Sequence, residues 1–222
     1  MSGDAHRGAS RRCLLRGAAL ACAAAAAGLP AWAGSYGDWF LAIELDRPGT
    51  LQRLLARGFD VNARDPAGQH GLYLALREGA DEVGALLVAH PELDVESPNA
   101  AGETLLMMAA LRGRLPAMAT LIARGAVVRR AGWTPLHYAA SGQEPRAIDL
   151  LLAHGAEVDA RSPNGSTPLM LAAGYGAIDG ATLLLRRGAD PALRNQAGLT
   201  AADMARRADR DRLAEQLDAA VR

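Results

Sequence analysis

Residues 132–140 read Gly132-Trp133-Thr134-Pro135-Leu136-His137-Tyr138-Ala139-Ala140, and their order is that of a helix start. Thr134 offers a side-chain oxygen to the first unpaired backbone N–H groups. Pro135 takes the first helical position, where its missing N–H is no loss. Leu136, Ala139 and Ala140 then fall three and four residues apart on one helical face. The pattern returns 33 residues later as Thr167-Pro168-Leu169-Met170-Leu171-Ala172-Ala173. A period of that length signals a stack of small units, each burying its apolar face against the next.

Offsets counted from the leucine of this stretch run through the chain as a ladder. The anchors are Trp39, Leu72, Leu106, Leu136, Leu169 and Ala202. Three residues after each stands alanine: Ala42, Ala75, Ala109, Ala139, Ala172 and Ala205. Fifteen after each stands leucine: Leu54, Leu87, Leu121, Leu151, Leu184 and Leu217. The alanines mark places where neighbouring backbones approach too closely for a larger side chain. The leucines are the core residues of a second helix, with Ile148, Leu150 and Leu151 as its apolar face in the best copy. Gly58, Gly125, Gly155 and Gly188 close that second helix with a left-handed turn.

The Thr134 to Ala140 run and the Leu150-Leu151-Leu152-Ala153-His154-Gly155-Ala156 run resemble the signature of the ankyrin repeat. The resemblance covers residues 35–222, and it is clearest in the fourth and fifth copies. It implies an all-α repeat solenoid: stacked ankyrin repeats, helix-turn-helix units joined by β-hairpin fingers, with degenerate capping repeats at both ends. The six expected repeats are 35–64, 65–98, 99–130, 131–161, 162–194 and 195–222. The helix of the first is expected over Trp39 to Leu45.

Composition agrees with such an array. Half of the 222 residues are hydrophobic, yet only 4% are aromatic; helices packed through Ala and Leu do not need large rings. All 24 basic residues are arginine. Beyond residue 33 there are 20 arginines against 23 acids, a net of −3. Such a body has no basic excess for phosphates, so nucleic acid is not an expected partner.

Residues 1–33 follow a different grammar. Ser10-Arg11-Arg12-Cys13-Leu14-Leu15-Arg16 precedes an Ala-rich apolar run from Gly17 to Gly28, and Ala31-Trp32-Ala33 supplies the small residues of a cleavage site after Ala33. The run is too short to cross a bilayer, which takes about 20 residues. The Arg11-Arg12 pair resembles a bacterial twin-arginine export signal; a general secretory signal is the alternative, and a lipoprotein reading through Cys22 is weaker. Both cysteines, Cys13 and Cys22, lie in this leader. The mature chain, residues 34–222, is thus expected in the periplasm without disulfide, thiolate or cysteine metal site.

One finger departs from the spacing. From C-cap glycine to finger glycine is ten residues for Gly58–Gly68, Gly155–Gly165 and Gly188–Gly198, but seven for Gly125–Gly132. This shortened finger carries Arg129-Arg130 where the resemblance leads one to expect an acid. Read plainly it is a deletion in a surface loop; read functionally it is a positive notch for an acidic partner. No enzyme signature accompanies it: His137, Ser141 and Asp149 lack a nucleophile turn and an oxyanion hole, and no histidine has metal-ligand spacing. No cofactor is expected.

What remains is surface recognition. The resemblance places the partner face on the fingertips and the inner side of the first helices. Leu111, Arg112, Trp133, Tyr175 and Leu199 fall there, with Arg129 and Arg130 as a further candidate. Trp133 is also readable as packing onto its own hairpin. The expected function is protein–protein interaction by a non-catalytic, monomeric protein with no membrane span. An inhibitor or immunity-type protein that occludes an enzyme, or an accessory that stabilises a co-exported cofactor enzyme, are the narrower alternatives.

Overall fold

Six helix–turn–helix pairs make up residues 32–221, the part of the chain that the computed structural model describes. In chain order they are α1 (Trp32–Glu44) with α2 (Pro48–Ala56), α3 (Gly71–Glu78) with α4 (Asp81–Ala89), and α5 (Leu105–Leu111) with α6 (Leu115–Ala123). Then come α7 (Pro135–Ser141) with α8 (Pro145–Ala153), α9 (Pro168–Gly174) with α10 (Ile178–Arg186), and α11 (Ala201–Arg207) with α12 (Asp211–Ala220). Caps decide where the first helix of a pair begins. Thr104, Thr134, Thr167 and Thr200 each accept the N–H three residues on, and that residue returns a side-chain acceptor to the threonine N–H. The returning groups are Met107 Sδ, His137 Nδ1, Met170 Sδ and Asp203 Oδ2, so the reciprocal capping box is built here without Glu or Gln. The first copy has Gly37 in the threonine's place. Nothing stops the helix there, and α1 starts at Trp32, seven residues before the expected Trp39. The expected cleavage point after Ala33 lies in its first turn, while Arg11, Arg12 and Ala31 lie outside the described residues.

The ladders are the core. All six anchors, all six alanines and all six leucines are buried, and Leu106, Leu136, Leu121, Leu151 and Leu184 are fully so. Burying one such leucine contributes about 1.5–3 kcal/mol. First helices pack on neighbouring first helices more extensively than second helices do on theirs. The alanines permit this closeness, and it curves the stack with the first helices on its inner side.

Between copies the chain makes tight reverse turns. The expected β-hairpin fingers contain no strand among the described residues, only the isolated bridge Arg64–His70. Each leg is too short for a ladder. Instead a two-bond turn recurs, as in Asp65 N–H to Gln69 O at 2.9 Å with Gly68 N–H to Asp65 O at 2.8 Å, and again at Asn99, Ser162 and Asn195. Asp65, Asn99 and Asn195 brace it by accepting backbone N–H groups with their own side chains.

Polar bonds also join the copies. The second helix of copy two ends at His90-Pro91 without a C-cap glycine, and Arg124 from the next copy takes its place. Its Nη1 donates to Val88 O and His90 O and its Nη2 to Pro91 O and Leu93 O, at 2.7–3.2 Å. Ala80 gives α4 no side-chain cap; Asp46 of copy one supplies it, accepting from Val83 N at 2.8 Å and Glu82 N at 3.3 Å. In copies four and five the turn between paired helices lies against the preceding first helix, with Ala177 N–H donating to Gly142 O at 3.1 Å. A Cβ on Gly142 would stand 2.6 Å from Leu111 O, and one on Gly176 would overlap Ala140 O.

Candidate functional site

The residue before each first-helix cap forms a row along the inner edge: Gln69, Glu103, Trp133, Ser166 and Leu199, with Tyr36 in the same register of copy one. At its centre is an anion held by neutral donors. Glu103 accepts from Tyr73 Oη at 2.5 Å, Asn99 Nδ2 at 2.7 Å and Tyr138 Oη at 2.8 Å. These three donors come from copies two, three and four. Burial pushes the Glu103 carboxyl up, but the three hydrogen bonds outweigh it and hold its pKa below the ordinary value. Burial and the bond to Glu103 push both phenols well above theirs. The sequence reading missed this hub. Its only trace is a charged residue in the row flanked one copy away on either side by tyrosine.

The candidate residues bracket α7. Trp133 sits before its N-terminus, 37% exposed, with its ring edge-on to His137 at 5.4 Å. Arg112 and Tyr175 end the first helices on either side, at α5 and α9. Tyr175 is 62% exposed. Arg112 is exposed too, but its guanidinium is held on the Arg77 carbonyl of the previous copy. Leu111 is half-buried against the core, and Leu199 is half-buried. Arg129 is exposed and Arg130 half-buried in the shortened finger. Leu41 on α1 and Leu45 just after it, 50% and 47% exposed, extend the inner face beyond what the candidate set contains.

The histidines are structural. His137 Nδ1 serves the Thr134 cap while Nε2 donates to Ser166 O at 3.1 Å, tying copy four to copy five. Ser141 Oγ donates to His137 O, and Asp149 pairs with Arg187 at 2.7 Å, so the three form no triad. Among the described residues no His, Cys, Asp and Glu group converges for a metal, and no helix is long and apolar enough to cross a membrane.

His70 replaces threonine as the cap of α3. Its Nδ1 accepts from Leu72 N at 3.0 Å and Nε2 faces Asn62 Oδ1 at 3.3 Å. Burial first, then Arg64, lowers its pKa to about 4. The neutral ring is therefore the folded form. Its contribution is complete above the unfolded value near 6.5 and is lost as pH falls through 6.5 towards 4, by about 2 kcal/mol at pH 4.5. His70→Thr keeps a cap without a titrating group. The drop in urea midpoint between pH 7.5 and pH 4.5 should shrink in the variant; an unchanged drop would assign the acid sensitivity elsewhere.

The family model described as ankyrin repeats, in three copies, matches residues 39–131 and 126–195. The chain belongs to the ankyrin-repeat family. Ankyrin repeats mediate protein–protein interaction, and that is the function of this array. It is similar to the NF-kappa-B p105 subunit of Gallus gallus, 34% identical over 70% of this chain and 16% of the relative. It is similar to the NF-kappa-B inhibitor epsilon of Homo sapiens, 35% identical over 74% of this chain and 35% of the relative. The chain thus spans about a third or less of these relatives' lengths. Among solved structures it resembles a chain of the complex between the predatory endopeptidase Bd0816 of Bdellovibrio bacteriovorus and the immunity protein Bd3460. That likeness has a TM-score of 0.69 and 26% identity, covering 82% of this chain and 97% of that one.

Proposed function

We propose that this ankyrin-repeat chain is exported and works as an immunity-type inhibitor, binding an enzyme along its inner face and occluding it without catalysis of its own. The carrying observation is the pair of exposed aromatics, Trp133 and Tyr175, standing at the finger end of α7 and the end of α9 on a rigid stack. Large amphipathic rings held on fixed elements lose little entropy when a partner covers them. The likeness over 97% of a chain from an endopeptidase–immunity protein complex supports the inhibitory reading. Residues 34–222 used as bait should capture an enzyme whose activity falls as the chain is titrated to equimolar amount. A captured enzyme that keeps full activity, or gains half-life, would instead favour the stabilising accessory.

The periplasm is the proposed compartment, reached through the leader. A fusion of residues 1–40 to a reporter that works only when exported folded should be active. Changing Arg11 and Arg12 to lysine together should block it, because a receptor for the guanidinium pair does not accept ammonium groups of the same charge. An inactive wild-type fusion, with the chain still exported, would rule out the twin-arginine route and leave general secretion.

A further inference from the structure

Three of the five fingers engage an arginine internally. Arg64, Arg161 and Arg194 stand eight residues before their anchors. Each donates to the carbonyl of its own turn glycine, Gly68, Gly165 or Gly198, at 2.7–3.1 Å. The shortened finger has Val128 at that place, buried, and its arginines come next. Gly132 keeps the left-handed turn at φ +77°, so the loss of three residues has not unmade the finger. It has shifted the arginines, which stand seven and six residues before Leu136 rather than eight. Arg129 is exposed, and Arg130 is half-buried with its Nη1 shut off from solvent and without a hydrogen-bond partner among the described residues.

A guanidinium nitrogen out of water without an acceptor is unfavourable, and the group that best completes it is a planar carboxylate. Arg130 lies close enough to Tyr138 for its charge to oppose the burial of that phenol. It stands in the same finger as Trp133, three residues before it. Tyr138 in turn donates to Glu103.

We propose that the shortened finger is the receptor for an acidic segment of the protein partner. An Asp or Glu carboxylate of that segment pairs with the half-buried Arg130 guanidinium, Arg129 steers it from outside, and the Trp133 ring covers the flanking chain. This rests on the protein-binding reading above and names the chemistry of the partner.

The test uses the full chain and a fluorescein-labelled twelve-residue peptide rich in Asp and Glu, followed by anisotropy at low salt. A lysine-rich peptide and a phosphoserine peptide are the comparisons. The acidic peptide should bind and the lysine-rich one should not. Arg130→Gln should weaken binding at least about tenfold. Arg53→Gln, at an exposed side chain of α2 that donates to Thr50, should leave it unchanged. The unfolding midpoint of Arg130→Gln should stay level or rise, since an uncompensated half-buried charge is removed; a structural arginine would lower it. Equal binding by Arg130→Gln, tighter binding of the phosphopeptide, or a lowered midpoint overturns the proposal. Full capture of a protein partner by Arg130→Gln also overturns it and leaves protein binding intact. Arg130-dependent peptide binding with no partner captured does the reverse.

Discussion

Gly176→Ala should destabilise the fold by more than about 3 kcal/mol, beyond the usual range for an overpacked site. The added methyl would overlap the carbonyl oxygen of Ala140, stand 3.0 Å from its carbon and lie 3.1 Å from Ala172 Cα. All three are backbone atoms of first helices, so no side chain can swing aside. Relief requires prising copy five from copy four, which also breaks the Ala177 to Gly142 hydrogen bond. Gly188→Ala is the matched comparison. Its φ is +89° but nothing stands within 4 Å of a new Cβ, so only left-handed strain remains, about 1–2 kcal/mol. Chemical denaturation of both variants decides the matter. Equal losses would mean that the two turns are held alike and that the close approach at Ala140 is not a determinant of the stack.

Trp133→Ala and Tyr175→Ala together should weaken partner capture at least about 100-fold while the unfolding midpoint changes little. Two well-placed interface aromatics contribute about 2 kcal/mol or more each, discounted because such effects do not add fully. Neither ring belongs to the buried ladders. Trp133 also touches His137 edge-on, so some loss of stability, about 0.5–1.5 kcal/mol, is expected from that contact. A much larger fall in midpoint would make Trp133 a packing residue, the second reading its sequence allowed. A folded double variant that captures the partner undiminished would move the binding face away from α7. Adding Arg112→Ala should weaken capture further, but it also removes the bonds to the Arg77 carbonyl, so its effect on stability must be subtracted first.

The stack was legible because it is written in repetition. An alanine that recurs in every copy three residues after an anchor states a packing distance, and a threonine before proline states a helix start. The inner-face chemistry obeys no such rule. Glu103 is ordinary in its own copy; it becomes a hub only when Tyr73 and Tyr138 arrive from the copies on either side. Arg124 likewise reads as a helix-end arginine until four carbonyls of the preceding copy close on it. The turn glycines were invisible for another reason. Position seven after the anchor holds Asp46, Gly79, Gly113, Gln143, Gly176 and Asp209. Asp46, Gly79, Gly113 and Asp209 are there for positive φ, whereas Gly176 is there for want of room. One register position thus serves two physical needs, and a sequence pattern does not separate them. Leu111 and Leu199 show the limit of carrying exposure over by register, since both are partly covered.

The side-chain bonds that leave one copy for the next, from His137 to Ser166 through Arg210 to Ala172, span 29 to 38 residues. Each closes a loop about one repeat long, and none waits for the chain ends to meet. The entropy of closure is therefore much the same at every step and does not grow as the array lengthens. Assembly can begin at any adjacent pair of copies and spread in both directions, each added copy docking on a finished surface. A chain emerging from synthesis can accordingly complete its early copies before the later ones exist.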